Sequence, residues 1–327
     1  MFNYVIFWSE SDFYKVSISD VIGLENVKVY YSYFDNIKLP LRVIYRIQNS
    51  KKLNGIINIP LKHLWNDVYF KNDFQENNDL CFIFTIKYYY LKKCGYFKYL
   101  RRRYENCKII IYFRDTIESY SRTYDYFDMK HIKDTFDLIL TYNKLDAEEY
   151  DIIYYPYVSS QISIKEDKSI SKSDVFFIGA AKDRLEQILN AYEYLTYHGL
   201  KCSFYIIGVK ETNKKQYRGV VYNKRLPYNT VLKHVNKTKC LLEITQSGAV
   251  GFTFRTTEAL MYDKILITDT PVIKDTKFYD ENFIIQFKDI TEIDVKKIKK
   301  NMNCVSYNYN GEYSPKKLLV FIENYFK

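Results

Sequence analysis

The chain has 327 residues, a formal net charge of +10 at pH 7 and 47% hydrophobic residues, values typical of a globular protein long enough for two domains. No apolar run approaches the ~20 residues of a membrane-spanning helix, and the first residues lack the basic start of a signal peptide, so we expect a cytoplasmic protein. The 6 cysteines are scattered, with no C-x-x-C pair and no histidine at ligand spacing, which argues against a zinc site and a disulfide framework. The positive charge indicates an acidic partner, such as phosphates, anionic lipid or nucleic acid.

Runs of β-favouring residues divide the first half of the chain. Near-continuous apolar runs at 81–85 and 109–113 predict strands that are buried on both faces of a sheet. Asn143 is placed to cap a short helix over residues 146–150. Further strands are predicted at 4–8, 27–31, 41–45 and 137–142.

A basic, aromatic stretch lies at residues 87–104. It contains seven Lys or Arg residues and no acid, and we expect a helix that Gly95 weakens or divides. Such a stretch can contact anionic membrane at its inner face, or a lipid-linked phosphate. A solvated basic helix face explains the same composition. Aromatics between cations also suit single-stranded nucleic acid, but no recognised nucleic-acid module accompanies them.

The second half of the chain alternates strands and helices more regularly. Residues 158–173 are polar and aperiodic, which predicts a linker between a first domain at 1–157 and a second at 174–310. Because strands alternate with helices, we predict an α/β fold with two doubly wound, Rossmann-like domains facing a cleft. The last segment, 311–327, carries a helix with one apolar face. Strands are predicted at 174–179, 203–208, 240–244 and 264–268, with helices at 185–195 and 228–235.

The run from 240 to 260 predicts a strand, a glycine-bearing loop and the start of a helix. Gly248 and Gly251 interrupt the apolar pattern, and Thr253 can cap the helix. A helix N-terminus behind a glycine loop offers unpaired N–H groups to phosphate. The alternative is an ordinary α/β corner that binds nothing, since the run has neither a Walker A pattern nor a Gly-x-Gly-x-x-Gly fingerprint.

Two charged residues follow in the predicted helix. Arg255 lies in its first turn, where a guanidinium can bind phosphate oxygens with a planar fork. Glu258 lies one turn further, where it can accept hydrogen bonds from the paired hydroxyls of a sugar. These positions suggest a nucleotide-sugar site. If Arg255 faces such a ligand, its replacement by alanine should leave the melting temperature of the free protein nearly unchanged.

The same stretch resembles the C-terminal signature of bacterial glycosyltransferases of lipopolysaccharide and capsule biosynthesis, a family of GT-B architecture. The resemblance rests on 246–248, 251–260 and 264–268, continues through 273–275 and 278–283, and covers roughly residues 108–290 in all. It implies donor contacts for Gln246, Gly248, Gly251, Thr253, Arg255 and Glu258, and a terminal helix at 311–327 that packs back on the first domain. The chain departs from the family where Ala249-Val250 replace an expected Gln before the second glycine.

A second phosphate-binding point follows the strand at 174–179. Gly179 ends that strand, and Lys182 and Arg184 stand at the start of the next helix, where two cations can neutralise a diphosphate. A solvated helix start explains them too. The resemblance supports phosphate binding, since the family shows Phe-Ile-Gly with an Arg shortly after. No Asp-x-Asp follows a strand, so we expect cations and helix ends to act in place of a metal, with no cofactor.

The candidate catalytic residue is Asp115, which follows the strand at 109–113. The resemblance implies an aspartate here, ahead of Phe136-Asp137 and the helix of 144–147. A carboxylate at this point could take the proton of an acceptor hydroxyl. The alternative role for Asp115 is a helix N-cap.

These patterns favour a metal-independent glycosyltransferase that moves a sugar from a nucleotide-activated donor to a surface-glycan acceptor. The expected partners are a nucleotide sugar and a glycan or lipid-linked glycan, without nucleic acid. The alternative is a non-catalytic basic α/β module that binds nucleic acid or another polyanion.

Overall fold

The computed structural model describes residues 1–32, 37–48, 50, 53, 57 and 59–327, and it divides into two compact units. The first unit contains Met1–Thr141, Tyr150–Ile153 and Leu319–Lys327. The second contains Tyr142–Glu149 and Tyr154–Leu318. Among the described residues, none of the helices has the length and apolar character needed to span a bilayer.

The first unit is built on a six-stranded sheet in the order β2-β1-β3-β4-β5-β6, in which the pairs from β2 to β5 are parallel. Its central strands carry near-continuous apolar residues that are fully buried, as expected for a sheet covered by helices on both faces. The strands are β1 (Asn3–Phe7), β2 (Val27–Tyr30), β3 (Leu80–Phe84), β4 (Lys108–Phe113), β5 (Leu138–Thr141) and β6 (Ile153–Tyr154). The helices are α1 (Asp12–Ser17), α2 (Leu41–Gln48), α3 (Asn66–Tyr69), α4 (Tyr96–Arg103), α5 (Ile117–Thr123) and α6 (Met129–Thr135).

The second unit has a six-stranded parallel sheet in the order β12-β11-β10-β7-β8-β9. Its strands are β7 (Ser173–Ala180), β8 (Cys202–Ile207), β9 (Val220–Tyr222), β10 (Thr238–Glu243), β11 (Ile265–Thr268) and β12 (Ile284–Gln286). The remaining helices are α7 (Lys144–Tyr150), α8 (Leu185–Tyr197), α9 (Tyr228–Lys237), α10 (Phe254–Met261), α11 (Val295–Asn301) and α12 (Pro315–Tyr325). The predicted α/β class with two doubly wound sheets is therefore confirmed.

The strand predicted at 41–45 is wrong, because these residues form the first part of α2. The β-branched residues there favoured a strand, but the side chains that turn inward recur at a helical spacing. Tyr45 is buried and Gln48 is half-buried, three residues further on. Pro40 precedes the helix, a position where the missing N–H of proline costs nothing.

The basic stretch 87–104 is helical, as predicted, and is divided at Gly95. A 3₁₀ segment (Ile86–Cys94) ends there, Gly95 adopts φ +71°, and α4 follows. The aromatic side chains of this stretch lie mostly in the core of the first unit: Tyr88, Tyr89, Tyr96 and Phe97 are all buried. What remains at its surface is mainly positive charge. Contact of this stretch with a membrane stays a prediction.

Residues 158–172 of the predicted linker contain no helix or strand and pack within the second unit, and Ser173, the last linker residue, begins β7. Ser159 and Ser160 are buried, and the Ser159 amide donates to Tyr313 O at 2.9 Å. Further along, Lys233 Nζ donates to Asp167 Oδ2 at 2.9 Å. At the other end of the chain, Tyr4 Oη donates to Leu319 O at 2.9 Å inside the first unit.

Candidate functional site

The loops that were predicted to bind phosphate meet at one point of the second sheet. β7 lies between β10 and β8, because the chain first adds β8 and β9 on one side and then returns to place β10 on the other. In doubly wound sheets, ligands bind outside the carboxyl ends of the strands at this reversal of direction. The loops after β7 and β10 carry Gly179–Arg184 and Gln246–Gly251, so the structure brings these two sets together.

Side chains join the two loops directly. Lys182 Nζ donates to Gln246 Oε1, and the Ser247 amide donates to Asp183 Oδ2 at 3.1 Å. Hydrogen bonds from Ser247 are the main cause of a lowered pKa at the Asp183 carboxyl. The two loops are therefore held as one polar surface.

Arg184 connects the ends of the two strands behind this surface. Its Nε and Nη2 donate to Ala180 O at 3.3 and 3.2 Å, and its Nη1 donates to Ile244 O. Burial lowers the pKa of its guanidinium, against the opposite effect of Asp269 and nearby carboxylates. A Cβ at Gly179 would lie 3.1 Å from Phe177 Cζ and 3.4 Å from Arg184 Nη2, so the glycine leaves room for both side chains. All three guanidinium nitrogens of Arg184 thus donate to backbone carbonyl oxygens of the protein.

The second loop needs glycine at positions 248 and 251 for two different reasons. Gly248 has φ +76°, a conformation that side chains rarely adopt. Gly251 is fixed by contact, because a Cβ there would lie 2.2 Å from Tyr142 O. Any larger residue at position 251 would push the loop away from the segment that follows β5.

Asn143 holds the same loop in place. Its Oδ1 accepts from the Val250 amide at 2.8 Å, and its Nδ2 donates to Gly248 O at 3.2 Å. The Lys144 amide donates to Val250 O at 2.7 Å. Where the sequence predicted a helix cap, the Asn143 side chain thus binds the glycine loop. Ala249, which departs from the resembled family, is buried.

Helix α10 begins behind this loop with a hydrogen-bonded carboxylate. Thr253 is its N-cap, as predicted, and accepts from the Arg255 amide at 3.0 Å. The Thr253 hydroxyl also donates to Glu243, the last residue of β10. Thr256 and Thr268 donate to the same carboxylate at 3.0 and 2.5 Å. Three hydroxyls therefore donate hydrogen bonds to a buried carboxyl group at the start of α10.

Arg255 and Glu258 form a buried ion pair. The Arg255 side chain is 5% exposed and that of Glu258 is 0% exposed, and Arg255 Nη1 donates to Glu258 Oε2. Tyr228 Oη donates to Glu258 Oε1 at 2.7 Å. Burial raises the pKa of the Glu258 carboxyl, and Arg255 acts in the opposite direction. Arg255 and Glu258 therefore bond to each other. The predicted contacts of Arg255 with phosphate and of Glu258 with ribose stay predictions, and they require this ion pair to break.

A cavity of about 410 Å³ opens at the same edge of the second sheet. It is lined by residues at the carboxyl ends of three strands, Ile244, Asp269 and Phe287, and by Gln187 and Asn190 of α8. Burial raises the pKa of Asp269 to about 6, although the Thr245 amide donates to its Oδ1 at 2.8 Å. The volume falls in the range of roughly 300–1,000 Å³ that is usual for small-molecule pockets.

Asp115 lies in the first unit, in the loop after β4. Its Oδ1 accepts from the Thr116 amide at 2.9 Å and its Oδ2 from Ser119 Oγ at 3.3 Å. The N-cap of α5 is Thr116, whose hydroxyl accepts from the Ser119 amide at 3.2 Å. The alternative role of Asp115 as the cap is therefore taken by its neighbour, and Asp115 is half-buried.

Sequence reasoning missed Glu243 and Asp269, and it missed the contact of Asn143 with the glycine loop. A signal existed for Glu243, because a carboxylate at the end of an apolar strand is costly unless it has a partner. Asp269 directly follows a strand in the same way. Asn143 gave no usable signal, because it meets its loop from about a hundred residues away along the chain.

No model of a known protein family matches the chain, and no curated protein sequence matches it. Solved structures do match. An α-glucosyltransferase in complex with UDP-glucose and abasic-site DNA has a TM-score of 0.55 at 12% identity, over 92% of this chain and 90% of that one. An α-glucosyltransferase in complex with UDP and mismatched DNA has a TM-score of 0.53 with the same identity and coverage. A structure described as a UDP-N-acetylglucosamine 2-epimerase from Listeria monocytogenes has a TM-score of 0.53 at 8% identity, over 100% of this chain and 96% of that one. The chain thus has the two-unit α/β fold of GT-B glycosyltransferases.

Proposed function

We propose that this protein is a glycosyltransferase whose second unit binds a nucleotide-sugar donor. The observation that carries the proposal is the polar surface that two loops form at the strand reversal of the second sheet. Arg184 of the first loop donates to Ile244 O, and Ile244 also lines the cavity. The fold supports it, since two structures that share it contain UDP or UDP-glucose. The nucleoside belongs in the cavity and the diphosphate at the two loops.

Lys182 would neutralise part of the charge of the diphosphate in this proposal. It is exposed, and its Nζ donates to Gln246 of the second loop, where the Gly248 and Gly251 amides would donate to phosphate oxygens. The Val250 amide is already bonded to Asn143, and the N-terminus of α10 lies against the Glu243 carboxylate. Arg255 would reach phosphate, and Glu258 a ribose hydroxyl, only after their ion pair exchanges partners. Because protein groups carry the charge of the leaving nucleotide, we propose that transfer needs no metal.

Asp115 is the proposed general base. Its carboxylate would take the proton of the acceptor hydroxyl as that oxygen bonds to the anomeric carbon and the nucleoside diphosphate leaves with the electrons of the broken bond. Asp115 already accepts two hydrogen bonds, from Thr116 and Ser119, which orient its carboxylate.

For the acceptor we propose a surface glycan of the lipopolysaccharide or capsule kind, at the cytoplasmic face of a membrane. This part rests on the resemblance of residues 246–268 to bacterial enzymes of that class. DNA is the competing acceptor, because the two α-glucosyltransferase structures contain it and this chain is basic.

The first experiment is calorimetric titration with uridine, guanosine and thymidine diphosphates, in which one base should bind in preference to the others. Lys182→Gln should lower the affinity for the preferred diphosphate by roughly tenfold. Lys239→Gln, which removes the same charge from an exposed position on β10, should leave that affinity unchanged. No binding by any of the three, or equal loss in both variants, would contradict the proposal.

The second experiment is a transfer assay with the matching nucleotide sugars in excess chelator, with glycan or duplex DNA as acceptor. Transfer to glycan should persist in chelator. Complete loss that Mg²⁺ or Mn²⁺ restores would refute metal independence, and transfer to DNA alone would replace the proposed acceptor.

A further inference from the structure

More than half of the exposed large hydrophobic side chains among the described residues lie between residues 39 and 64 of the first unit. We call seven of them the aliphatic patch: Leu39, Leu41, Val43, Ile44, Ile47, Leu61 and Leu64, which are 45–76% exposed. Scattered apolar residues on a surface need no explanation, but a concentration of this kind marks an interaction surface.

The aliphatic patch is continuous between α2 and the turn at 61–64. Gln48, the last residue of α2, donates from Nε2 to Pro60 O at 2.5 Å. Its Oε1 accepts from Trp65 Nε1 at 2.6 Å. These bonds hold both ends of the turn against the end of the helix, so Leu61 and Leu64 lie on the same side of the unit as α2.

Helix α2 turns its apolar face outward. Its inward side chain is Tyr45, which is buried with its ring 5.1 Å from Trp65 and its hydroxyl 3.1 Å from that of Tyr69. Val43, Ile44 and Ile47 point away from this anchor and are each about half exposed. The Tyr45 and Gln48 contacts fix this rotation, so the helix cannot bury its aliphatic side chains without losing them.

The charge along this part of the chain is mainly positive, and the exposed Asp67 follows the segment directly. Between residues 36 and 66 the sequence contains six Lys or Arg residues and no Asp or Glu. Of these, Lys38 and Arg46 are exposed in the structure, and Arg42 and Lys62 are half-buried. Aliphatic side chains bordered by cations match a bilayer surface, where the former enter the acyl boundary and the latter meet anionic headgroups.

Two other occupants fit less well. A second copy of the chain on a two-fold axis would bring together two surfaces that carry more cations than acids. Nucleic acid would suit the charge, but it offers aliphatic side chains no apolar surface to enter, and single strands are bound through exposed aromatics. We propose that the aliphatic patch is a docking surface for a bilayer that contains anionic phospholipid.

This surface differs from the basic stretch 87–104. There the aromatic side chains belong to the core, so contact with lipid would be through charge alone. The two surfaces can be separated by substitution, because α4 offers the exposed pair Lys98 and Arg102 as a matched loss of charge.

The test is co-sedimentation of the full chain with vesicles of phosphatidylcholine alone, or mixed equally with phosphatidylglycerol. The protein should bind the mixed vesicles and not the neutral ones. Val43→Ser/Ile44→Ser/Ile47→Ser should reduce binding by roughly tenfold or more with an unchanged melting temperature, because the three side chains are already exposed. Lys38→Gln/Arg46→Gln should reduce it in a salt-dependent way.

Two controls keep the proposal falsifiable. Leu145→Ser/Val320→Ser removes exposed aliphatic residues elsewhere and should leave binding unchanged. Lys98→Gln/Arg102→Gln on α4 removes the same charge as Lys38→Gln/Arg46→Gln and should reduce binding less. In a gain-of-signal version, Ile44→Trp should add blue-shifted fluorescence on mixed vesicles relative to wild type.

Four results would overturn the proposal: no binding by the wild type, full binding by the triple serine variant, a self-associated wild type that the triple variant makes monomeric, or retention of DNA in place of vesicles. Because the readout is vesicle binding, it is independent of whether the chain transfers sugar.

Discussion

The carboxyl edges of the two sheets differ in chemistry although both sheets reverse direction in the same manner. In the first unit, β1 ends beside Trp8, which is fully buried, and Arg114 after β4 lies with its guanidinium 4.6 Å from the rings of both Trp8 and Tyr14. In the second unit, β10 ends at Glu243 and β11 is followed by Asp269, and the nearest rings to the Arg255 guanidinium, those of Phe254 and Phe176, are more distant at 5.1 and 5.8 Å.

The two carboxyl edges therefore offer different chemistry to a ligand. Cation–π contacts hold the Arg114 guanidinium against aromatic rings. The side chain of the adjacent Asp115 is half open to solvent. At the second edge the charged groups bind one another and the strand ends, so a polar surface exists before any ligand arrives. A ligand there must exchange partners with the protein, whereas at the first edge hydrogen bonds orient the half-buried Asp115 carboxylate.

The largest expected effect concerns the buried pair of the second edge. Arg255→Ala leaves the Glu258 carboxylate buried without its cation, and should lower the free energy of unfolding by roughly 3–5 kcal/mol in urea denaturation. This corrects the expectation from sequence that the melting temperature would not change. Arg255→Met/Glu258→Leu should recover most of the loss, because it removes both charges. A loss below about 1 kcal/mol for Arg255→Ala would mean that the ion pair is not formed.

The next effect concerns the first edge and is catalytic. Asp115→Asn should lower transfer by roughly 10²-fold or more and leave nucleotide affinity unchanged. Stability should hardly change, since the amide oxygen can still accept from the Thr116 amide.

The matched control is Thr116→Ala, which removes the actual cap of α5. It should cost about 1 kcal/mol of stability and leave turnover per folded molecule intact. If Asp115→Asn instead destabilises the protein and turns over normally, Asp115 is structural and its proposed catalytic role is wrong.

The smallest effect is a pH dependence at the second edge. Burial raises the pKa of Asp269 in the folded protein to about 6 from an ordinary value of 3.8. Asp269 therefore adds to the free energy of unfolding below about pH 4, and this stabilisation is lost as pH rises through 6. Asp269→Asn should stabilise the protein by roughly 1–3 kcal/mol at pH 8 and by little at pH 4.

Asp289 is the counterpart at the same cavity. Hydrogen bonds from Thr291 lower the pKa of its carboxyl, so Asp289→Asn should change stability with the opposite dependence on pH. Urea denaturation at both pH values measures the two variants, and an equal shift for Asp269→Asn at pH 4 and 8 would contradict a raised pKa.

Much of the second unit could be predicted from the sequence, because its signals are local. Apolar runs predicted the strands β7 and β10, and Thr253 predicted the start of α10. The strand predicted at 41–45 failed because β-branched residues favour strands only where they pack, and in α2 they face outward. The ion pair of Arg255 and Glu258 has a visible i, i+3 spacing, but its burial depends on Tyr228 and on β7, which no local pattern reveals.

The central claim is that the donor nucleotide binds at the strand reversal of the second sheet. Amide hydrogen exchange of the full chain, followed by mass spectrometry with and without saturating UDP, tests it most directly. The claim predicts slower exchange in residues 179–184 and 244–258 and unchanged exchange in 113–120. Protection confined to the first unit, or UDP binding without protection at either loop of the second sheet, would contradict it.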